Sequence, residues 1–147
     1  MTQPADKPVV LITGASSGIG DGVARRFASA GWRIVAVARR QERLEELERA
    51  LSPLSAVEIV ATDVVAKDAP ERAVGAAIRA FGRLDCLVNN AGSGKWAPVG
   101  DTDDATLDEI IDTSLKAPFR FARAAIGVMR AGSSIINVGS TFGTGAN

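Results

Sequence analysis

The stretch Val9-Val10-Leu11-Ile12-Thr13-Gly14-Ala15-Ser16-Ser17-Gly18-Ile19-Gly20 decides how the rest of the chain is read. Its opening run of four apolar residues predicts a strand covered on both faces, and a helical period begins at Ile19. Between strand and helix stand three glycines, each with a distinct use. Gly14 allows a sharp turn out of the strand, Gly18 lets backbone approach a ligand closely, and Gly20 lets the helix lie against the sheet. The helix start behind them offers unpaired N–H groups and the positive end of a dipole, so the turn is suited to holding phosphate. A glycine-rich turn can also be purely structural. The strand before it and the helix after it weigh against that alternative.

Outward from this stretch, apolar runs alternate with helix-period segments to the end of the chain. The first helix is expected over Ile19 to Ala30, with Ile19, Val23, Phe27 and Ala30 on its inner face and Gly31 after it. Ile34 to Val37 reads as a second strand. Gln41 to Leu51 follows as a helix with Leu44, Leu47 and Leu51 inward, ended by Ser52-Pro53. Val57 to Val60 is a third strand. Asp68, Pro70 and Glu71 mark a helix start, and Val74, Ile78 and Phe81 form that helix's apolar face before Gly82. Leu84 to Val88 is a fourth strand, and a Gly-, Ser- and Pro-rich loop runs from Asn89 to about Asp101. A long helix then spans roughly Asp104 to Arg130, loosened at Pro118, and Ser134 to Val138 is a fifth strand. Apolar strands alternating with amphipathic helices predict one α/β domain over residues 1–147. Its architecture is a Rossmann-type doubly wound parallel sheet of strand order 3-2-1-4-5, truncated before its last strands.

Composition excludes several functions. Lys plus Arg equals Asp plus Glu, and the basic residues are scattered, so no field recruits nucleic acid or an anionic membrane. With no His and a single Cys, the sequence predicts neither a zinc site nor an internal disulfide. Cys86, inside an apolar run, reads as a buried strand residue rather than a reactive thiol. The apolar run Val9 to Ile12 is too short for a signal peptide or a membrane span, so the protein is expected to be soluble and cytoplasmic.

The end of the second strand bears on which dinucleotide the turn would hold. An NAD site needs an acid there to accept hydrogen bonds from the ribose 2′-hydroxyl. This chain has Ala38, followed directly by Arg39 and Arg40. A carboxylate would repel a 2′-phosphate, whereas a guanidinium can clasp it; one such contact contributes about 1–3 kcal/mol. NADP(H), with NADPH preferred over NADH, is therefore the expected cofactor. The alternative is that Arg39 and Arg40 merely open a surface helix.

The Thr-Gly-x3-Gly-x-Gly spacing resembles that of the short-chain dehydrogenases/reductases, and it lacks the Gly-Lys-Ser/Thr ending of a nucleotide triphosphatase loop. The resemblance extends over essentially the whole chain. Asp63-Val64 after the third strand is similar to the family's adenine contact, and Asn89-Asn90-Ala91-Gly92 matches its Asn-Asn-Ala-Gly motif. The resemblance thus implies that Asn90, Ala91 and Gly92 border the cofactor together with Gly14, Ser16, Ser17, Gly18, Ile19 and Gly20. Asn137-Val138-Gly139-Ser140 is similar to the segment that holds the family's catalytic serine, which by register is Ser140. Ser140 is then expected to hydrogen-bond the oxygen of a carbonyl or alcohol substrate.

Two departures accompany the resemblance. The family's acid/base is a tyrosine followed by a lysine, as Tyr-x3-Lys, where the ammonium stabilises the phenolate. No tyrosine occurs in this sequence, and Lys95 and Lys116 lie in the wrong segments for the lysine. Ser114 stands where many members place an asparagine that holds a proton-relay water. The fold also lacks the helix and strands that follow the fifth strand, so the sequence reads as a C-terminally truncated piece of a longer enzyme. The resemblance also implies that a homo-oligomer is possible in the full-length form, since family members assemble through the long helix and the one after it. Lys95 and Trp96 are expected to border the substrate mouth. Two other readings stay open: a non-catalytic dinucleotide-binding module, and a fragment without stable structure.

Overall fold

The computed structural model describes residues 7–94 and 97–140. Five strands form one parallel sheet: β1 (Val9–Thr13), β2 (Arg33–Ala38), β3 (Val57–Ala61), β4 (Cys86–Asn89) and β5 (Ser134–Asn137). Their spatial order is β3-β2-β1-β4-β5, as the alternation of elements predicts. Helices α1 (Gly18–Ser29), α2 (Gln41–Leu51), α3 (Ala69–Phe81), α4 (Asp104–Ile111) and α5 (Ala117–Ile126) connect them.

Side chains of successive strand residues point to opposite faces, and here each face has its own core. Val9 and Leu11 of β1, Val35 and Val37 of β2 and Leu87 of β4 pack with α3 and α5 around Phe121. Val10 and Ile12, Ile34 and Ala36, and Cys86 and Val88 pack on the other face with α1 and α2. Every residue of β1 is buried, as expected of the central strand of a sheet covered on both sides.

The helix faces depart from the sequence reading in an instructive way. On α2, Leu44, Leu47 and Leu51 face inward as expected. On α1 the buried residues are Gly20, Ala24 and Ala28, while Ile19 is two-thirds exposed and Ala30 is exposed. Val23 and Phe27 lie half-buried on the flank, where Phe27 meets Trp32 edge to face at 5.0 Å. Small residues let α1 approach the sheet closely, and the larger ones seal its side. Helix α3 does the same with Ala69, Ala73, Ala76 and Ala77; Val74 is buried, but Ile78 faces largely outward. Gly82 ends α3 in the left-handed conformation at φ 75°. Asp68 does not cap α3 through its side chain; its backbone is already helical, and its carboxylate lies 3.6 Å from Arg72 instead.

The expected long helix is interrupted. A π-helical segment, Asp112–Lys116, joins α4 to α5, and α5 ends at Ile126 rather than continuing to Arg130. Pro118 sits in the first turn of α5 and has no N–H to give the carbonyl four residues earlier, at Ser114. The wider turn just before it accommodates that missing bond. At the front of α4, Asp103 does act as a cap, accepting from the Thr106 N–H at 2.8 Å.

β5 is the weakly covered member of the sheet. It pairs with β4, yet Ser134, Ile136 and Asn137 are exposed and only Ile135 packs partly against the core. Among the described residues, no helix is long and apolar enough to cross a membrane.

Candidate functional site

The C-terminal ends of β1, β2, β3 and β4 open onto a cleft of about 740 Å³. A ligand crevice at this end of an open parallel sheet is the general expectation for the architecture. Its walls include Gly14, Ser16, Ser17, Ile19, Arg39, Arg40, Asp63, Val64, Asn90, Ala91 and Gly92, all expected from the sequence. Gly18, Gly20, Ser114 and Ser140 are not among the lining residues.

Two glycines shape the floor. Gly14 leaves β1 at φ 67°, and a Cβ there would come within 2.9 Å of the Ala91 backbone. Gly20 is tighter still: a Cβ would overlap the Gly14 carbonyl and crowd the Asn90 amide. The loop and the first turn of α1 can nest only because both positions lack a side chain. Gly18, also at positive φ, opens onto free space at the start of α1.

The loop is held from across the sheet. The Thr13 hydroxyl accepts from the backbone N–H groups of Asn90 and Ala91, each at 3.0 Å. The Asn90 side-chain amide donates to the Thr13 carbonyl at 3.0 Å and to the Gly14 carbonyl at 3.3 Å. Its neighbour Asn89, buried, donates to the Asn137 side chain at 2.9 Å and so ties β4 to β5. The two asparagines thus face opposite ways and link three adjacent strands.

At the far wall, Arg40 donates to Ser16 and Ser17 at 3.4 and 3.3 Å. Arg39 and Arg40 are exposed, and neither makes an ion pair with a carboxylate among the described residues. Ala38 before them is buried. Asp63 receives the Val65 N–H at 3.1 Å, which turns the chain after β3 and sets Val64 into the cleft.

The opposite wall comes from residues the sequence reading did not single out. Glu109, Asp112 and Thr113 line the cleft from α4 and the π segment with Ser93, while Thr62 and Val65 flank Asp63 and Val64. Their i, i+3, i+4 spacing marks one helix face, a signal present in the sequence. Ser93 donates to Glu109 at 2.9 Å, joining the loop after β4 to this wall. Ser114, one residue past Thr113, is exposed. Ser140 is exposed at the end of the described chain, three residues beyond Asn137. Lys95 and Trp96, the expected substrate border, lie outside the described residues.

Among the described residues, no cluster of potential metal ligands occurs. Cys86 is buried in β4, and burial, with the Asp85 charge beside it, pushes its thiol up to about 11. A neutral thiol in an apolar strand has no nucleophilic role.

A parallel 3-2-1-4-5 sheet with a glycine cradle at β1 defines an α/β protein of the Rossmann type. Residues 8–147 match the family model described as short chain dehydrogenase, and the chain belongs to that family. Sulfoacetaldehyde reductase 2 of Chromohalobacter salexigens is 40% identical over 139 residues, which is 92% of this chain and 55% of that protein. The structure of L-sorbose reductase from Gluconobacter frateurii, complexed with NADPH and L-sorbose, matches with a TM-score of 0.84 at 36% identity, covering 89% of this chain and 51% of that one. A metagenomic short-chain oxidoreductase in complex with NADP matches with a TM-score of 0.82 at 37% identity, covering 92% of this chain and 62% of that one. The chain spans about half the length of the curated relatives it matches.

Proposed function

We propose that this chain is the cofactor-binding part of an NADP(H)-dependent oxidoreductase acting on a small carbonyl or alcohol substrate. One observation carries the cofactor choice. Where an NAD site needs a carboxylate, the strand ends in buried Ala38, followed by two guanidiniums with no carboxylate partner among the described residues. Ser16 and Ser17, already within reach of Arg40, add hydroxyl donors beside it. The cradle also fits the group: Gly14 and Gly20 leave the room a pyrophosphate needs, and the α1 start supplies N–H groups. Solved relatives in complex with NADPH and NADP support the same choice.

When bound, the nicotinamide supplies or accepts the hydride. The chain's own residues bind and orient. Arg39 and Arg40 hold the 2′-phosphate, Asp63 and Val64 the adenine, and Asn90, Ala91 and Gly92 border the ribose. Ser140 hydrogen-bonds the substrate oxygen. Ser114 stands at the relay position. The exposed Leu115, Phe119 and Ile126 favour a homo-oligomer built on α5 and the segment before it. The runner-up reading is a binding module without chemistry.

Titration with NADPH and NADH tests the cofactor assignment. NADPH is expected to bind about ten- to a hundredfold more tightly, and Arg39→Ala with Arg40→Ala to abolish the difference. Equal affinity of the unaltered chain for both would sink the NADP reading. Reduction of carbonyls by a longer form separates the enzyme from the binding module.

A further inference from the structure

The structure holds two uncommitted polar groups on either side of one narrow gap. The side-chain oxygen of Asn89 is buried and has no hydrogen-bond partner. Its amide nitrogen faces both Asn137 and the carbonyl of Pro118, at 2.9 and 3.4 Å; a carbonyl can only accept, so the amide orientation is fixed and the oxygen is left over. Such a group is rare in a folded interior and calls for an explanation.

Asn89 borders a gap between β4 and the start of α5, shared with Thr13, Val64, Ala91, Thr113, Ala117, Pro118 and Phe121, that has no room for a water molecule. The Thr13 hydroxyl is already engaged by Asn90, Ala91 and Val88. Thr113 makes no side-chain hydrogen bond among the described residues, so its hydroxyl is the side-chain donor on this gap still to be used. Thr113 also lines the nucleotide cleft, and it sits in the π segment, where the helix ladder is loosest.

Asn89 in turn governs the end of β5. Its side chain holds Asn137, and its backbone carbonyl accepts from the Val138 N–H at 2.9 Å, two residues before Ser140. We propose that Thr113 and Asn89 are positioning residues: when the cleft is filled, the Thr113 hydroxyl turns inward to the Asn89 oxygen and fixes β5, and with it Ser140. The proposal rests on the cofactor reading above. A ligand in the cleft confines Thr113 on its open side and leaves Asn89 as its partner on the other.

Amide hydrogen exchange of the full 147-residue chain, with and without NADPH, tests this using the Val138 amide as reporter. In the unaltered protein NADPH is expected to slow Val138 exchange about tenfold. Thr113→Val, which removes the hydroxyl but keeps the shape, is expected to lose that slowing when compared at saturating NADPH. Thr113→Ser is expected to restore it. Full slowing in Thr113→Val overturns the coupling while leaving the cofactor reading intact. A large loss of NADPH affinity in Thr113→Val, with Val138 still slowed at saturation, also overturns it, since the hydroxyl then serves the ligand directly. No binding of NADPH to the unaltered chain overturns the cofactor reading and the coupling together.

Discussion

β1 and β5 run parallel in the same sheet, yet all of β1 is buried while three of the four residues of β5 are exposed. The contrast follows from what covers each strand. β1 has α1 on one face and α3 on the other, and hydrogen-bonded strands on both sides. Among the described residues β5 has a neighbour on one side only, and Ile136 and the following Val138 are more than 40% exposed. β1 is also the more apolar strand, VVLIT against SIIN, yet position matters beside composition: Ile12 of β1 is fully buried and Ile136 of β5 is 44% exposed. Among the described residues, the part of the cleft at β1 is therefore well packed, and the strand that leads to Ser140 is not.

The sharpest way to break that comparison is to truncate one apolar side chain in each strand. Leu11→Ala is expected to cost about 2–5 kcal/mol in denaturant unfolding, because Leu11 is fully buried and the sheet cannot close around the void. If it costs no more than an exposed site does, β1 is not the packed centre described here.

Gly20→Ala probes the cradle itself. The added methyl meets the Gly14 carbonyl and the Asn90 amide, so a loss of about 1–3 kcal/mol is expected, together with loss of nucleotide binding. Unchanged NADPH affinity would show that the close contact of loop and helix is not needed.

Asp85, at the opposite end of the sheet, accepts from the Val9 N–H at 2.9 Å and from Arg83 at 2.7 Å. Burial alone would raise its pKa, but those bonds and the charges of Arg83 and Arg33 outweigh burial and hold it below the ordinary carboxylate range. With the folded value depressed, this stabilisation is present above the unfolded pKa and is lost as pH falls through the folded one. Asp85→Asn is expected to cost about 1–2 kcal/mol near neutrality and to flatten part of the acid limb of stability against pH. A mutant whose acid limb matches the parent's removes Asp85 from the account. At the small end, Ile136→Thr in β5 is expected to change stability by less than about 0.5 kcal/mol. A larger loss would mean that β5 is covered in solution.

Much of this was legible in the sequence, and the misses have physical causes. The leucines of α2 declare their face because they are large and spaced helically, and the strand order followed from the alternation of elements. On α1 the large residues pointed to the wrong face: close packing on a sheet selects Gly20, Ala24 and Ala28, which carry little hydrophobic signal. The strand-end motifs lay beside one another in space, so Gly14, Arg40, Asp63 and Asn90 could be placed together before any coordinates. Glu109, Asp112 and Thr113 could not, because nothing local says that a helix after a long loop folds back over the cleft. The π segment was half visible: Pro118 signalled a disturbance, but not that it would fall before the proline.

The bonds from Asn90 to Thr13 and Gly14 join residues 77 and 76 positions apart. The glycine cradle is thus encoded within the first twenty residues but is not finished until β4 has docked. Closing so long a loop comes late relative to helix formation, so during refolding helix content is expected to appear before the capacity to hold a dinucleotide. On the ribosome, the same geometry means that a chain shorter than about ninety residues has the signature of a binding site without the site.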